Sequence, residues 1–375
     1  MTFQSDYSFV DRLLHRFAFA TWPVQAALAD MEEVSFRSRL AGVTLDRPVF
    51  VAGLPRAGTT LILELIENSG EFASYQYRDM PFLLTPMLWS ALTKSAERKV
   101  EQRERAHGDG VAIDIDSPEA FEEVVWRSLY PQKYGKTAIE PWKGGVDPDK
   151  QRFFSAQMRK IVAIRTEGAG RPLRYLSKCN GNIARFATIS AMFSDAVILA
   201  PYRRPLDQAA SLLRQHQNFL AMHAEDSFSR EYMGAIGHYD FGANLKPINF
   251  DGWLSKGPAP DFGSLNGWLR YWSAAYGFLL EQQSLPIRFF SYDALCQDAP
   301  THLASLESLL GLSRAGGLTS QAARVRPLKG LPEPGPEVDQ GLLEEAVHIF
   351  ERLEARRGGA PLASGAIDTP TSAGA

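Results

Sequence analysis

Cysteine is scarce: Cys179 and Cys296 are the only two in 375 residues, too few and too far apart for a disulfide framework or a thiolate metal site. That usage fits a reducing compartment. The seven histidines are scattered, and no pair stands at helical metal spacing with a carboxylate partner, so no zinc or iron site is legible and no metal is expected. An excess of positive charge is missing as well. Lys+Arg number 40 against 43 Asp+Glu, a formal charge of −3, which excludes a general nucleic-acid binder and requires any polyanionic ligand to be held by a local cluster of cations. A small anion-bearing molecule is the partner this balance implies. No run approaches the roughly 20 apolar residues of a membrane span, and the N-terminus, Met1-Thr-Phe-Gln-Ser-Asp-Tyr7, lacks the basic start and apolar stretch of an export signal. A cytoplasmic protein with no transmembrane segment is expected.

What is present begins with one segment. Phe50-Val-Ala-Gly-Leu-Pro-Arg-Ala-Gly-Thr-Thr-Leu-Ile-Leu-Glu-Leu65 predicts a buried strand, a Gly-rich turn and a helix, the arrangement that aims backbone N–H groups at a phosphate. Gly53 and Gly58 keep the spacing of a nucleotide triphosphatase loop, G-x-x-x-x-G-K-[ST]. Thr59, however, stands in the lysine position, and the cation, Arg56, lies inside the turn. That displacement argues against ordinary ATP or GTP hydrolysis. For a bare Gly-x4-Gly the ordinary reading is a pair of glycines that merely permit a turn. Here Pro55-Arg-Ala-Gly58 puts a cation where the helix N-terminus points, Thr59 and Thr60 add hydroxyls beside the first orphan N–H groups, and Ile62, Leu63, Leu65 and Ile66 give the helix an apolar face. The turn reads as an anion site.

With 45% hydrophobic residues, the chain can bury a large α/β core. Helical spacing from Tyr7 to Leu40, broken near Trp22-Pro23, predicts a helical N-terminal extension over residues 1–45. Strands are predicted at Pro48–Ala52, Phe72–Tyr75, Pro172–Ser177 (ending at Lys178), Asp195–Arg203 and Pro286–Ser291. Helices are predicted from the turn to about Asn68, over Pro81–Arg105, from Ser117-Pro118, and over Pro148–Glu167, Leu206–His216, Trp268–Gln282 and Ala299–Leu310. Glu119 and Glu122 then read as acidic residues complementing a helix N-terminus. Asn244–Gly267 is dense in Gly, Pro, Asp and Ser and reads as a surface loop or lid. Residues 1–356 are expected as a single domain, with 357–375 a disordered tail. Strands alternating with helices predict a three-layer architecture, a parallel sheet flanked by helices, with ligand at the carboxyl ends of the strands.

Three places in order, Gly53-Leu-Pro-Arg-Ala-Gly-Thr-Thr60, Lys178-Cys-Asn-Gly-Asn182 and Tyr202-Arg-Arg-Pro-Leu-Asp-Gln-Ala-Ala-Ser-Leu-Leu213, make the chain resemble the sulfotransferases that use 3′-phosphoadenosine 5′-phosphosulfate (PAPS), in their bacterial and tyrosylprotein branches. The resemblance covers roughly residues 48–310 and implies a P-loop NTPase-like sulfotransferase fold with added helices. It implies that Pro55, Arg56, Ala57, Gly58, Thr59 and Thr60 cradle the donor's 5′-phosphosulfate, with Arg56 touching the leaving group. Many members have Lys and Ser where this chain has Arg56 and Ala57, so one hydroxyl contact is lost. Arg203 and Ser211, eight positions apart, match the pair that grips the 3′-phosphate; a helix beginning near Leu206 returns the serine to the strand end, and a guanidinium suits a phosphate. Lys178 resembles the lysine near the bridging oxygen. Arg324, Arg326 and Lys329 form a basic turn where cytosolic members carry a Gly-rich loop, in a sequence that departs from that pattern.

The implied reaction is in-line transfer of a sulfuryl group from PAPS to a hydroxyl or amine of a small-molecule, glycan or peptide acceptor, releasing adenosine 3′,5′-bisphosphate (PAP). Alignment and charge neutralisation carry most of such catalysis. For the general base two candidates stand open: Asp79, the nearest carboxylate after the second strand, and His107, in a Gly-flanked loop. The aromatics Tyr75, Tyr77, Phe82, Trp89, Trp126, Trp268 and Trp272 read either as an acceptor pocket or, as is ordinary at helical spacing, as core. Two rivals remain: a P-loop kinase or NTPase, which needs the missing lysine, and a non-catalytic PAP- or nucleotide-binding protein.

Overall fold

The computed structural model describes residues 9–93, 103–104, 112–113, 119–313, 315–328, 335 and 337–357. Three helices come first: α1 (Phe9–Ala20), α2 (Trp22–Ser35) and the short α3 (Arg37–Leu40). The expected break falls at Thr21, and Pro23 sits in the first turn of α2, where its missing N–H leaves no helix bond unmade. There follow β1 (Val49–Val51), α4 (Thr59–Glu67), β2 (Phe72–Ala73), α5 (Pro86–Thr93), β3 (Arg103–Glu104), β4 (Ala112–Ile113), α6 (Glu123–Leu129) and α7 (Pro148–Ala169). The second half runs through β5 (Arg174–Lys178), α8 (Phe186–Met192), β6 (Val197–Tyr202), α9 (Pro205–Glu225), α10 (Ser227–Ala235), α11 (Leu265–Glu281), β7 (Ile287–Ser291), α12 (Tyr292–Gln297), α13 (Ala299–Leu310) and α14 (Gln340–Ala355).

Local chemistry accounts for several boundaries. Asp147 caps α7, accepting from the Asp149 and Lys150 N–H groups, Pro148 opens the helix, and Gly170 closes it at φ 65°. Of the helix expected over Pro81–Arg105, the described residues show a helix from Pro86 to Thr93, while Arg103–Glu104 pair antiparallel with Ala112–Ile113. Pro81 and Pro86 disfavour helix in the residues just before them. Ser117 and Pro118 lie outside the described residues. The stretch expected as a surface loop or lid is partly core: Phe250 and Trp253 are buried, and the Trp253 indole donates to Ile248 O at 2.8 Å.

The five-stranded sheet has the order β2-β5-β1-β6-β7, and every pairing is parallel. This is the helix-flanked parallel α/β architecture the sequence implies. Alternate residues of each strand face opposite layers. Phe50, Tyr175, Ile198, Ala200 and Tyr202 join the larger cluster with residues of α7, α9 and α11. Val49, Val51, Leu176 and Leu199 join the other with Ile62, Leu63, Leu65 and Ile66 of α4 and leucines of α13. The chain therefore leaves β1 toward one face through α4 and leaves the adjacent β6 toward the other through α9. Such a divergence opens a crevice at the carboxyl ends of neighbouring strands.

Candidate active site

The turn after β1 is forced into shape by its neighbours. A Cβ at Gly53 would collide with the Pro201 carbonyl of β6, and one at Gly58, held at φ 75°, would enter the Tyr292 ring. Arg56 itself sits at φ 69°, a left-handed conformation that disfavours any side chain and recurs at ligand-gripping turns. Gly58 provides no side-chain cap to α4, so the first N–H groups of that helix stay available to an anion. Thr59 is buried and Thr60 half-buried beside them, and Ala57 is fully buried.

Residues far apart in the chain meet here. Arg56 Nε donates to Ser211 Oγ at 3.1 Å. Gln208, one turn before Ser211 on α9, donates from Nε2 to the Leu54 and Pro55 carbonyls at 3.1 and 2.9 Å. Arg203 directly follows β6, with its guanidinium 5.7 Å from the centre of the Tyr292 ring that underlies Gly58. Burial pushes the Tyr292 phenol up to about 12, against the pull of Arg203 and Arg56, so it stays neutral. Arg203 Nη2 lies 3.8 Å from Asp207 and Nε 3.9 Å from Asp293, beyond hydrogen-bond reach. Its Nε is buried with no hydrogen-bond partner among the described residues. Arg204 takes the closer place, with Nε 3.2 Å from Asp207 and 3.5 Å from Asp293 and its N–H 2.7 Å from Asp293 Oδ2. Burial raises the Asp293 carboxyl, and the Arg204 N–H pulls it back.

Lys178 is buried at the end of β5, in register with Val51 of β1, and the next residue, Cys179, donates its N–H to Val51 O at 3.2 Å. The lysine thus ends the strand beside β1, from which the Arg56 turn departs. A buried network braces the segment after it. Cys179 Sγ donates to Glu123 Oε2 at 2.8 Å, Arg185 pairs with the same carboxylate, and Glu122 accepts from Trp126 Nε1, Tyr175 OH and Asn182 Nδ2 at 2.7–2.9 Å. Burial opposes both charges of the Glu123–Arg185 pair, yet each holds the other ionised, while burial and Glu123 keep the Cys179 thiol protonated. Glu122 does stand at the N-terminal end of α6, as its helix-end reading has it, and it is in addition a buried acceptor. Glu119 is likewise engaged, by Tyr77 OH at 2.8 Å.

The remaining expected residues lie elsewhere. Asp79 is buried; it accepts the Gln76 N–H at 2.8 Å and pairs with Arg165 of α7. His107 and Lys329 lie outside the described residues. Arg324 pairs with Glu64 of α4 at 2.8 Å, and Arg326 is exposed. Tyr75, Trp126, Trp268 and Trp272 are core, whereas Tyr77, Phe82 and Trp89 are half-buried. Sequence reasoning missed Gln208, Asp207, Tyr292 and Asp293. Spacing offered a signal for two of them, since Gln208 precedes Ser211 by three helical positions and Tyr292 follows the end of a strand as Arg203 does.

A parallel α/β sheet with an arginine-bearing, Gly-flanked turn at its carboxyl edge is the class these observations define. A profile of the sulfotransferase family matches residues 48–245, more than half of the chain, and the chain belongs to that family of transferases. No curated protein matches it. Among solved structures it is similar to sulfotransferase STF9 from Mycobacterium avium, at 13% identity over 88% of this chain and 83% of that one with TM-score 0.46. It is also similar to sulfotransferase STF1 from Mycobacterium tuberculosis (13%, 88% and 81%, TM-score 0.43) and to the sulfotransferase domain from the curacin biosynthetic pathway (12%, 83% and 98%, TM-score 0.38). Among the described residues no helix is long and apolar enough to cross a membrane.

Proposed function

We propose that this sulfotransferase takes PAPS as donor and passes the sulfuryl group to a hydroxyl or amine of a small-molecule, glycan or peptide acceptor. The observation that carries the reading is the Arg56–Ser211 hydrogen bond of 3.1 Å. It joins the anion turn to the helix whose strand-end arginine, Arg203, keeps a buried Nε without a hydrogen-bond partner among the described residues. Two anion-gripping places at one sheet edge suit a nucleotide phosphorylated at both ends. In this reading the N–H groups of Gly58, Thr59 and Thr60 hold the 5′-phosphosulfate, and Arg203 and Ser211 hold the 3′-phosphate.

The bond from sulfur to the bridging oxygen breaks as the acceptor atom bonds to sulfur. Arg56 and Lys178 neutralise the charge that gathers on the departing oxygen, which leaves with PAP. A base takes the acceptor's proton. Of its two candidates, Asp79 is already held by Arg165, which weighs toward His107; the acid limb of the pH–rate profile in Asp79→Asn and His107→Gln distinguishes them. Magnesium-free calorimetry tests the donor reading: tight binding of PAP and none of ATP is expected. Binding of ATP alone, dependent on magnesium, would install the kinase or NTPase reading in its place. If PAP binds but label from [³⁵S]PAPS reaches no acceptor in an extract screen, the chain is a binding protein.

A further inference from the structure

We propose that Gln208 is a positioning residue that fixes the distance between the two anion-gripping ends of the site, and so sets the preference for a 3′,5′-bisphosphate; this rests on the donor reading above. Gln208 is fully buried. Both ends of its carboxamide are engaged with different elements. Nε2 donates to the carbonyls of Leu54 and Pro55, the two residues before Arg56, at 3.1 and 2.9 Å. Oε1 accepts the backbone N–H of Arg203 at 3.2 Å and the Trp272 indole N–H of α11 at 2.9 Å. One planar group therefore touches the backbone just before Arg56 and at Arg203, in the segments that follow the neighbouring strands β1 and β6.

The surroundings hold this group rigidly. Tyr276, also on α11, lies within reach of Nε2 at 3.3 Å and donates its own hydroxyl to the Pro201 carbonyl at 3.0 Å, the same carbonyl that leaves no room for a Cβ at Gly53. A carboxamide offers two donors and one acceptor oxygen, and here every one is used. An apolar side chain of equal length would leave the Leu54 and Pro55 carbonyls and the Arg203 N–H without these bonds. The turn and the strand end could then drift apart, and displacements of about 1 Å are enough to matter at a gripping site. Neither Gln208 nor Trp272 need touch the nucleotide for this. The quantity they control is spacing, so its signature is discrimination between ligands of equal charge and unequal phosphate geometry.

The test compares adenosine 3′,5′-bisphosphate with adenosine 2′,5′-bisphosphate by magnesium-free calorimetry on the full chain. The wild type is expected to favour the 3′,5′ isomer, and Gln208→Met to lower that ratio by roughly tenfold, the scale of one lost charge-adjacent hydrogen bond. Trp272→Phe keeps an aromatic ring and removes the indole donor to Oε1, leaving a small void; it should lower the ratio in the same direction by a smaller factor, and it keeps the idea testable should Gln208→Met fail to fold. Equal loss of affinity for both isomers, or an unchanged ratio in folded variants, overturns the assignment and leaves Gln208 a buried filler. A wild-type chain that binds neither bisphosphate overturns the donor reading and the ruler with it, a result distinct from a wild type that binds and discriminates while its variants do the same.

Discussion

Replacing Arg203 by alanine removes the guanidinium that the 3′-phosphate should meet. The side chain is 19% exposed and its two carboxylate neighbours stand at 3.8 and 3.9 Å, so it enters binding without a hydrogen bond from Nε to give up among the described residues. The contacts it forms with phosphate are then net gains. Hydrogen bonds to a charged group contribute about 1.5–3 kcal/mol, so the variant should bind PAP about 10- to 150-fold more weakly at 1.4 kcal/mol per decade. Asp207 and Asp293 would remain beside the arriving phosphate with Arg204 alone against them, which places the effect in the upper part of that range at low salt and shrinks it as salt screens the exposed side. Arg203→Lys should restore the charge but not the fork, and recover only part of the loss. Magnesium-free titration with PAP and with 5′-AMP at two ionic strengths, with a thermal melt to verify folding, measures all of this. Unchanged PAP affinity in a folded variant would refute the role of Arg203. Equal weakening of PAP and 5′-AMP would place its action away from the 3′-phosphate.

Arg56→Gly should lower turnover by roughly 100- to 1000-fold, as loss of one transition-state donor does, while a thermal melt shows stability unchanged or slightly raised, because glycine adopts the φ of 69° freely; unfolding in step with lost activity would contradict a catalytic role. The Glu32–Lys160 pair joins α2 to α7 with both side chains fully buried at 2.9 Å, and Glu32 also accepts the Leu88 N–H. Burial raises the Glu32 carboxyl and lowers the Lys160 amine, each partly offset by the other. Either single change, Glu32→Gln or Lys160→Met, should destabilise by about 3–5 kcal/mol, and the double change by less than their sum; additive urea-denaturation losses would show that the two charges do not interact. Burial holds the imidazole of His216 below its ordinary value, and burial followed by His238 and Arg230 takes His223 down to about 4. The unfolded chain then takes up protons first, so stability is full above the ordinary value of 6.5 and falls as pH drops toward about 4. Protonation would also break the bonds that both rings accept from Gly242 and Ala243; a urea midpoint that rises on acidification would contradict this, and His223→Gln should flatten the slope.

Much of the site was legible because its signals are local. The run Phe50 to Leu65 carries its own strand, turn and helix in glycine placement and apolar spacing, and Arg203 and Ser211 fall on a strand end and the helix that follows it, a local pattern. The alternation of strands and helices likewise announced a parallel sheet. The less legible parts depend on partners remote in the chain. Asp79 looked like a carboxylate available for proton transfer until Arg165, on a helix 86 residues away, was brought against it. Glu122 is the helix-end acid its sequence context suggests, but only the fold brings Tyr175 and Asn182 against it as buried donors.

From the sequence alone came the chemistry of each piece: a Gly-flanked turn without the triphosphatase lysine, cations at or just after three strand ends, and a core large enough to hold them. Tertiary structure alone decided that β1 lies between β5 and β6, which sets Lys178 beside Val51 and Arg56 against Ser211. Strand order follows from which buried faces fit which helices, a property of the whole interior that no local window of residues encodes.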